Sequence, residues 1–176
     1  MTAKQPLTAR AAYLDDAPHL YDQPVMDIAS SLDGYVAGGQ HYYPLIAQYE
    51  DTDAGGIIYH SNYINFAERG RSAWLRLGGI DLQAYLRDSS ETFVIRHMDV
   101  DFMRSAKLND KLVVVSSLER LSGVRAIIDQ KIFGLKDGHI FARVVVEGVW
   151  VNLETGPCRF PDQFRAQMTA IAGQAE

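Results

Sequence analysis

One helix-length amphipathic stretch followed by four strand-length stretches restricts the folds open to this chain more than any other feature. Tyr63, Phe66, Ala67, Gly70, Trp74 and Leu77 recur at helical spacing on one broad face, with Glu68, Arg69, Arg71 and Arg76 largely outside it. Ser61 or Asn62 is placed to cap this helix, and Gly78-Gly79 to stop it. Gly70 costs about 1 kcal/mol against alanine in a helix interior, so it predicts a close helix-to-sheet contact. After a linking segment over 81–90, strands are expected at Thr92–Met103, Lys111–Leu121, Val124–Phe133 and Ile140–Leu153. In the first of these, Val94, Met98, Val100 and Phe102 share one face, while Asp99 and Asp101 belong to the other. Ser122-Gly123 and Lys136-Asp137-Gly138 read as turns, and the last strand is apolar enough to lie centrally in a sheet. With a further strand at Tyr42–Tyr49, Pro44 near its start, the pattern is α+β: an antiparallel sheet wrapped around one long central helix. Such a sheet leaves a strand edge and part of a face uncovered, so pairing with a second copy is expected.

A chain of 176 residues, 47% of them hydrophobic, supports one domain with a real core. That domain is placed at 41–160, with an N-terminal extension over 1–40 and a C-terminal helix or tail over 161–176. Val25, Ile28, Ala29, Leu32 and Tyr35 or Val36 predict a short helix in the extension, ended by Gly38 and Gly39. It can pack on the domain's own surface, form a subunit contact or partly cover a pocket. Phe160–Ile171 predicts a short closing helix. The net charge of -5 argues against a general nucleic-acid-binding surface. Cys158 is the sole cysteine, so no intramolecular disulfide forms, and a reducing compartment is the simpler home. No apolar run reaches the length of a membrane span and no secretory h-region stands at the N-terminus, so a cytoplasmic protein without membrane insertion is expected. His41, His60, His97 and His139 are scattered and neither CxxC nor HExxH occurs, so no metal site is expected.

The chemistry concentrates in Glu50–Arg71, EDTDAGGIIYHSNYINFAERGR. Gly55 and Gly56 fit a tight loop laid against a neighbour or a ligand. The helix that follows presents unpaired N–H groups and a partial positive charge, which places a carboxylate beside a site for a developing oxyanion. That is an acyl-transfer arrangement.

Tyr49-Glu50-Asp51-Thr52-Asp53-Ala54-Gly55-Gly56, then Tyr59, His60, Asn62 and Tyr63, then Phe66, Glu68, Arg69 and Arg71, resemble the signature of hotdog-fold acyl-CoA thioesterases. The likeness is to the 4-hydroxybenzoyl-CoA thioesterase type and its Tol-Pal-associated bacterial branch, and it runs from about Tyr43 to Phe164. The resemblance implies an acyl-CoA thioester hydrolase that forms homodimers or homotetramers, with active sites between subunits and no metal or redox cofactor. It implies that Asp53 is the catalytic carboxylate, as nucleophile or as general base for water; a loop-shaping aspartate is the structural alternative. The backbone N–H of His60 would polarise the thioester carbonyl. Its ring either assists the leaving thiolate or only packs. Tyr59 would line the pocket with Gly55 and Gly56, and Phe93–His97 would supply pocket wall. Ser122, Gly123 and Arg125, near Arg120, correspond to a phosphate-binding region. Asp51 is expected to shape the loop by accepting N–H bonds. Glu68 competes for the catalytic role, since another branch uses a helix glutamate, but an ion pair or helix-end contact is its expected role. Acyl-acyl-carrier-protein is the alternative substrate, making an acyl carrier protein a possible partner. A catalytically weak hotdog scaffold or acyl-CoA sensor is the alternative of another class.

Overall fold

A computed structural model describes residues 32–173. Strands β1 (Tyr35–Ala37), β2 (Gln40–Ile46), β3 (Glu91–Phe102), β4 (Lys111–Leu121), β5 (Arg125–Gly134) and β6 (Ile140–Asn152) form a sheet in the order β1-β2-β4-β5-β6-β3. The short β7 (Gly156–Pro157) pairs beside β6. Every pairing is antiparallel. Helix α1 (His60–Leu77) packs on β2, β4, β5 and β6, giving the expected sheet around one helix. Helices α2 (Leu82–Ser89) and α3 (Asp162–Ile171) flank it.

Gly70 explains the closeness of that packing. A Cβ there would stand 3.0 Å from Val114 Cγ1, so a side chain at this position would crowd the contact between the helix and β4. Trp74, Trp150, Phe160, Phe164 and Met168 pack between α1, the sheet and α3, while Tyr63, Phe66, Leu112, Val114 and Ile132 fill the other half of the core.

Several expectations need correction. The last turn of the N-terminal helix is strand β1 at Tyr35–Ala37, stacked through Tyr35 on Tyr42 at 5.0 Å; its earlier residues lie outside those described. The linking segment over 81–90 contains α2, capped by the Asp81 carboxylate accepting from Gln83 and Ala84 N–H. Pro44 sits inside β2 but beyond the end of β1, on an edge where a missing N–H is tolerated.

In β3 the register shifts between Ile95 and His97, leaving Arg96 as an extra residue. Phe93 therefore shares the inner face with Met98 and Val100, and Val94 opposes Val149 on the outer face, contrary to simple alternation. Gly148 accommodates the Phe93 ring, whose nearest atom would lie 1.8 Å from an added Cβ. β6 lies between β5 and β3, inside the sheet as its apolar run predicts.

Candidate active site

The residues from Gln48 to His60 fold into a loop fixed by hydrogen bonds among backbone groups and a few polar side chains. A 3-10 turn at Tyr49–Asp51 opens it, and the buried Asp51 carboxylate accepts the Gln48 N–H at 2.8 Å. The Asp51 carbonyl accepts from Tyr59 N–H at 2.8 Å and from Asn62 Nδ2 at 3.0 Å, tying the loop's start to the helix that ends it. Ile58 N–H reaches the Ala106 carbonyl at 2.8 Å, and Ala106 N–H donates to the buried Tyr63 hydroxyl, also at 2.8 Å. The loop is thereby anchored to the segment that leads into β4.

Asp53 stands at the exposed tip. Its Oδ1 accepts the Gly55 N–H at 2.7 Å, and its own N–H donates to the Ile57 carbonyl at 2.9 Å. Among the described residues, its second carboxylate oxygen has no protein donor. Gly56 takes φ +74°, a conformation that side chains disfavour. A Cβ on Gly55 would sit 3.0 Å from the Asp53 carboxylate. The two glycines thus have separate duties: one turns the chain, the other leaves room beside the acid.

Helix α1 starts at His60, with Tyr59 as N-cap and no side-chain cap. Neither Ser61 nor Asn62 caps it; Asn62 holds the Asp51 carbonyl instead. Among the described residues the backbone N–H groups of His60 and Ser61 have no acceptor, so the helix opens with free donors and the positive end of its dipole. The His60 ring lies 4.3 Å from the Tyr59 ring and 6.1 Å edge-on from Phe102. Both His60 and Tyr59 are exposed.

Glu68 lies eight residues further along α1, about 12 Å of helix rise from His60. It pairs with Arg71 and accepts from Ser72 Oγ at 3.3 Å, so of the ion pair and helix-end contact expected of it, it makes the ion pair. Arg71, read from the sequence as lying outside the packed face, is buried. It sits beside Ala67 and Trp74 at i-4 and i+3, and it donates to Gln130 Oε1 while Gln130 Nε2 donates to Ala67 O and Ser116 Oγ, both at 2.9 Å. Burial pulls the Arg71 guanidinium below its usual range, opposed by the Glu68 charge. Sequence reading missed this network; the clue was Gln130 at the alternation of the apolar Ala126, Ile128 and Ile132 in β5.

The hairpin residues are also ordered. Ser122 Oγ accepts from Arg125 N–H at 3.0 Å, Arg165 donates to the Ser122 carbonyl, and Phe160 N–H donates to Gly123 O at 2.9 Å. The exposed Arg125 shares Glu147 with Arg96, at 3.4 and 2.7 Å. This hairpin does not meet Asp53 within one subunit. The loop borders the start of β4 and the hairpin closes its far end, a separation of roughly 35 Å along an eleven-residue strand.

Beneath Glu68 and Arg71 opens a cavity of about 70 Å3, lined by Phe93, Ile95, Ala126, Ile128, Phe164 and Met168 among others. Phe93 and Ile95 belong to the wall segment expected from the sequence. Burial, and next the Glu91 charge, push the Cys158 thiol pKa up, which disfavours its thiolate. No cluster of metal-ligating side chains occurs among the described residues, and no helix there is long and apolar enough to cross a membrane.

Residues 47–168 match the thioesterase-like superfamily. The acyl-CoA thioesterase YbgC of Haemophilus influenzae is 30% identical over 125 residues, covering 70% of this chain and 90% of that protein. The crystal structure of a probable thioesterase from Bartonella henselae is 31% identical, with a TM-score of 0.64 over 69% of this chain and 99% of the other. A 1,4-dihydroxy-2-naphthoyl-CoA thioesterase from Synechocystis superposes with a TM-score of 0.70 at 21% identity, over 73% and 95% of the two chains, a likeness of fold alone.

Proposed function

The chain belongs to the thioesterase-like superfamily, with its hotdog fold, and from that premise we propose that it hydrolyses acyl-CoA thioesters to a carboxylic acid and coenzyme A. The observation that carries the reading is the exposed Asp53 carboxylate on a loop that runs directly into the open N-terminus of α1. A thioester is already activated, so the enzyme has chiefly to position an attacking oxygen and stabilise the oxyanion. As general base, Asp53 takes a proton from water as its oxygen adds to the carbonyl. The His60 N–H donates to the resulting oxyanion, and collapse expels the thiolate, which takes up a proton with help from the His60 ring. As nucleophile, Asp53 instead forms a mixed anhydride that water then opens. Rapid-quench capture of a covalent acyl-enzyme separates the two, and single turnover in 18O-labelled water then tells which anhydride carbon the water attacks, since label enters the Asp53 carboxylate only by attack at its own carbonyl carbon.

We place the complete site between two copies. β3 is a twelve-residue strand whose outer edge has no partner among the described residues, and Ile95, Phe102 and Met103 beside it are exposed. Antiparallel pairing of two β3 edges sets the Phe102 end of one copy against the Glu91 end of the other. The hairpin at Ser122, Gly123 and Arg125 lies at the Glu91 end, through β5 and β6, so the partner's cationic hairpin comes toward Asp53 and His60. Arg125 is then available for the phosphates of coenzyme A. Asp51 and Glu68 act as supports, one fixing the loop and the other holding Arg71.

An acyl carrier protein presents the same phosphopantetheine thioester and is the alternative substrate carrier. Cytoplasmic action is in keeping with the free thiol of Cys158. The test is thiol release from acyl-CoA and acyl-carrier-protein thioesters by wild type and Asp53→Asn. Turnover that depends on Asp53 supports the reading, and its absence on every thioester returns the protein to a scaffold or acyl-CoA sensor.

A further inference from the structure

The Asp53 loop and the start of α1 meet at the Asp51 carbonyl oxygen. It accepts Tyr59 N–H at 2.8 Å and Asn62 Nδ2 at 3.0 Å, one donor for each of its lone pairs. A carbonyl only accepts, so the Asn62 amide presents its Nδ2 there and turns its Oδ1 away. Asn65, exposed one turn further along α1, donates to that Oδ1 through its Nδ2 at 2.8 Å. The donors therefore run in one consistent direction, from Asn65 to Asn62 to Asp51.

The main chain of Asn62 acts on the same spot. Its N–H donates to the Tyr59 carbonyl at 2.9 Å, while Tyr59 N–H is held by Asp51. The Tyr59 carbonyl and the His60 N–H belong to one planar peptide group and point in opposite directions, so fixing the carbonyl fixes the aim of the free N–H. Asp53 follows Asp51 by two residues, so the bond from the Asn62 side chain also ties the carboxylate to that donor. We propose that Asn62, held in its orientation by Asn65, is a positioning residue that locks the Asp53 carboxylate and the His60 N–H into one rigid pair. Its amide faces the loop, so it acts through Asp51 and the Tyr59–His60 peptide and not on the thioester. It sets the spacing between the attacking group and the oxyanion donor, and thereby kcat more than substrate affinity. The inference rests on the thioesterase reading given above.

Two changes that keep side-chain shape separate this role from a merely structural one. Asn62→Asp retains the Asn65 contact but sets an acceptor against the Asp51 carbonyl. An acid in the first turn of a helix is favoured by the dipole, so its melting temperature is expected to stay near that of wild type. Asn65→Asp, at an exposed position, offers Asn62 an acceptor and favours the reversed amide, with Oδ1 against the Asp51 carbonyl. Thiol release from acetyl-, octanoyl- and benzoyl-CoA by the full-length protein gives kcat and KM, and amide exchange followed by NMR reports the Tyr59 N–H independently of catalysis. For Asn62→Asp, kcat is expected to fall about 100-fold with KM changed less than about twofold, the effect of a displacement of about 1 Å. Asn65→Asp should lower kcat about tenfold, the weight of one hydrogen bond, again without a matching change in KM. In both variants Tyr59 exchange should quicken about tenfold while the amides at 66–74 keep their protection. Folded variants with unchanged kcat overturn the positioning role, as does a loss of kcat that only follows a lowered melting temperature or is matched by KM. No wild-type turnover on any thioester, with the expected exchange pattern, overturns hydrolysis and leaves the Asn62 clamp standing; unchanged exchange overturns the clamp whatever the turnover.

Discussion

The two ends of the sheet are built on different principles. At the Asp53 end, a few hydrogen bonds determine the geometry: the Asp51 carboxylate accepts the Gln48 N–H, the Tyr63 hydroxyl accepts the Ala106 N–H, and Gly56 turns the chain, leaving the Asp53 carboxylate exposed. At the Ser122 end, side chains dominate, with Phe93, Trp150, Phe160 and Phe164 packed at ring separations of 4.7 to 6.4 Å around an apolar cavity. A loop held by a few hydrogen bonds fails when one acceptor is removed, whereas a packed apolar cluster loosens by degrees as its side chains change. The comparison teaches that the two ends can be perturbed separately by mutation.

The sharpest break of this comparison is at Asp53. Asp53→Asn keeps an acceptor for Gly55 N–H, so its melting temperature should match wild type while kcat falls about 10^3-fold, within the range for acid-base catalysis. Unchanged turnover there, with loss in Glu68→Gln, would move the reaction to the central helix. Next comes the joining of the two ends through a second copy. Val94→Lys places a charge on the β3 edge away from loop and cavity, and light scattering should report single chains with hydrolysis reduced roughly 100-fold through misplaced groups. A single-chain species with full turnover would show that one copy suffices.

Gly148→Ala then addresses the side-chain end alone. The Phe93 ring must move, for a loss of about 1–3 kcal/mol in denaturant unfolding, with Asp53-dependent chemistry on acetyl-CoA retained. The smallest effect is expected at Arg125. Arg125→Ala should raise KM for acyl-CoA by about threefold and flatten its salt dependence without altering kcat, because an exposed charge contact is worth about 0.2–1 kcal/mol.

The Asp53 end was largely legible in the sequence because turn chemistry is local: acids, two glycines and a helix start within a dozen residues. The long strands and the close packing at Gly70 were legible for the same reason, as periodicity and a misplaced glycine are both visible in short windows. What escaped depends on distant partners. Arg71 is buried because Gln130, 59 residues later, receives it. Helix α2 buries no residue fully and has eight residues, too few for a clear amphipathic period, although Asp81 as its cap was a readable signal. The loop-to-helix junction was placed two or three residues late, since the groups that organise it are the Asp51 carbonyl and Asn62, not a capping hydroxyl.

The extra residue in β3 has a further consequence, for how this chain can diverge. Arg96 lets Phe93 and Ile95 share the inner face with Met98 and Val100, so the strand's two halves are out of phase with respect to simple alternation. Individual positions on either side can drift by substitution, each bounded by its own packing. Deletion of one residue, or a second insertion, would instead turn one half of the strand over, sending Phe93 to solvent or Asp99 and Asp101 toward the core. Descendants of this sequence are therefore expected to vary in the letters of β3 long before they vary in its length.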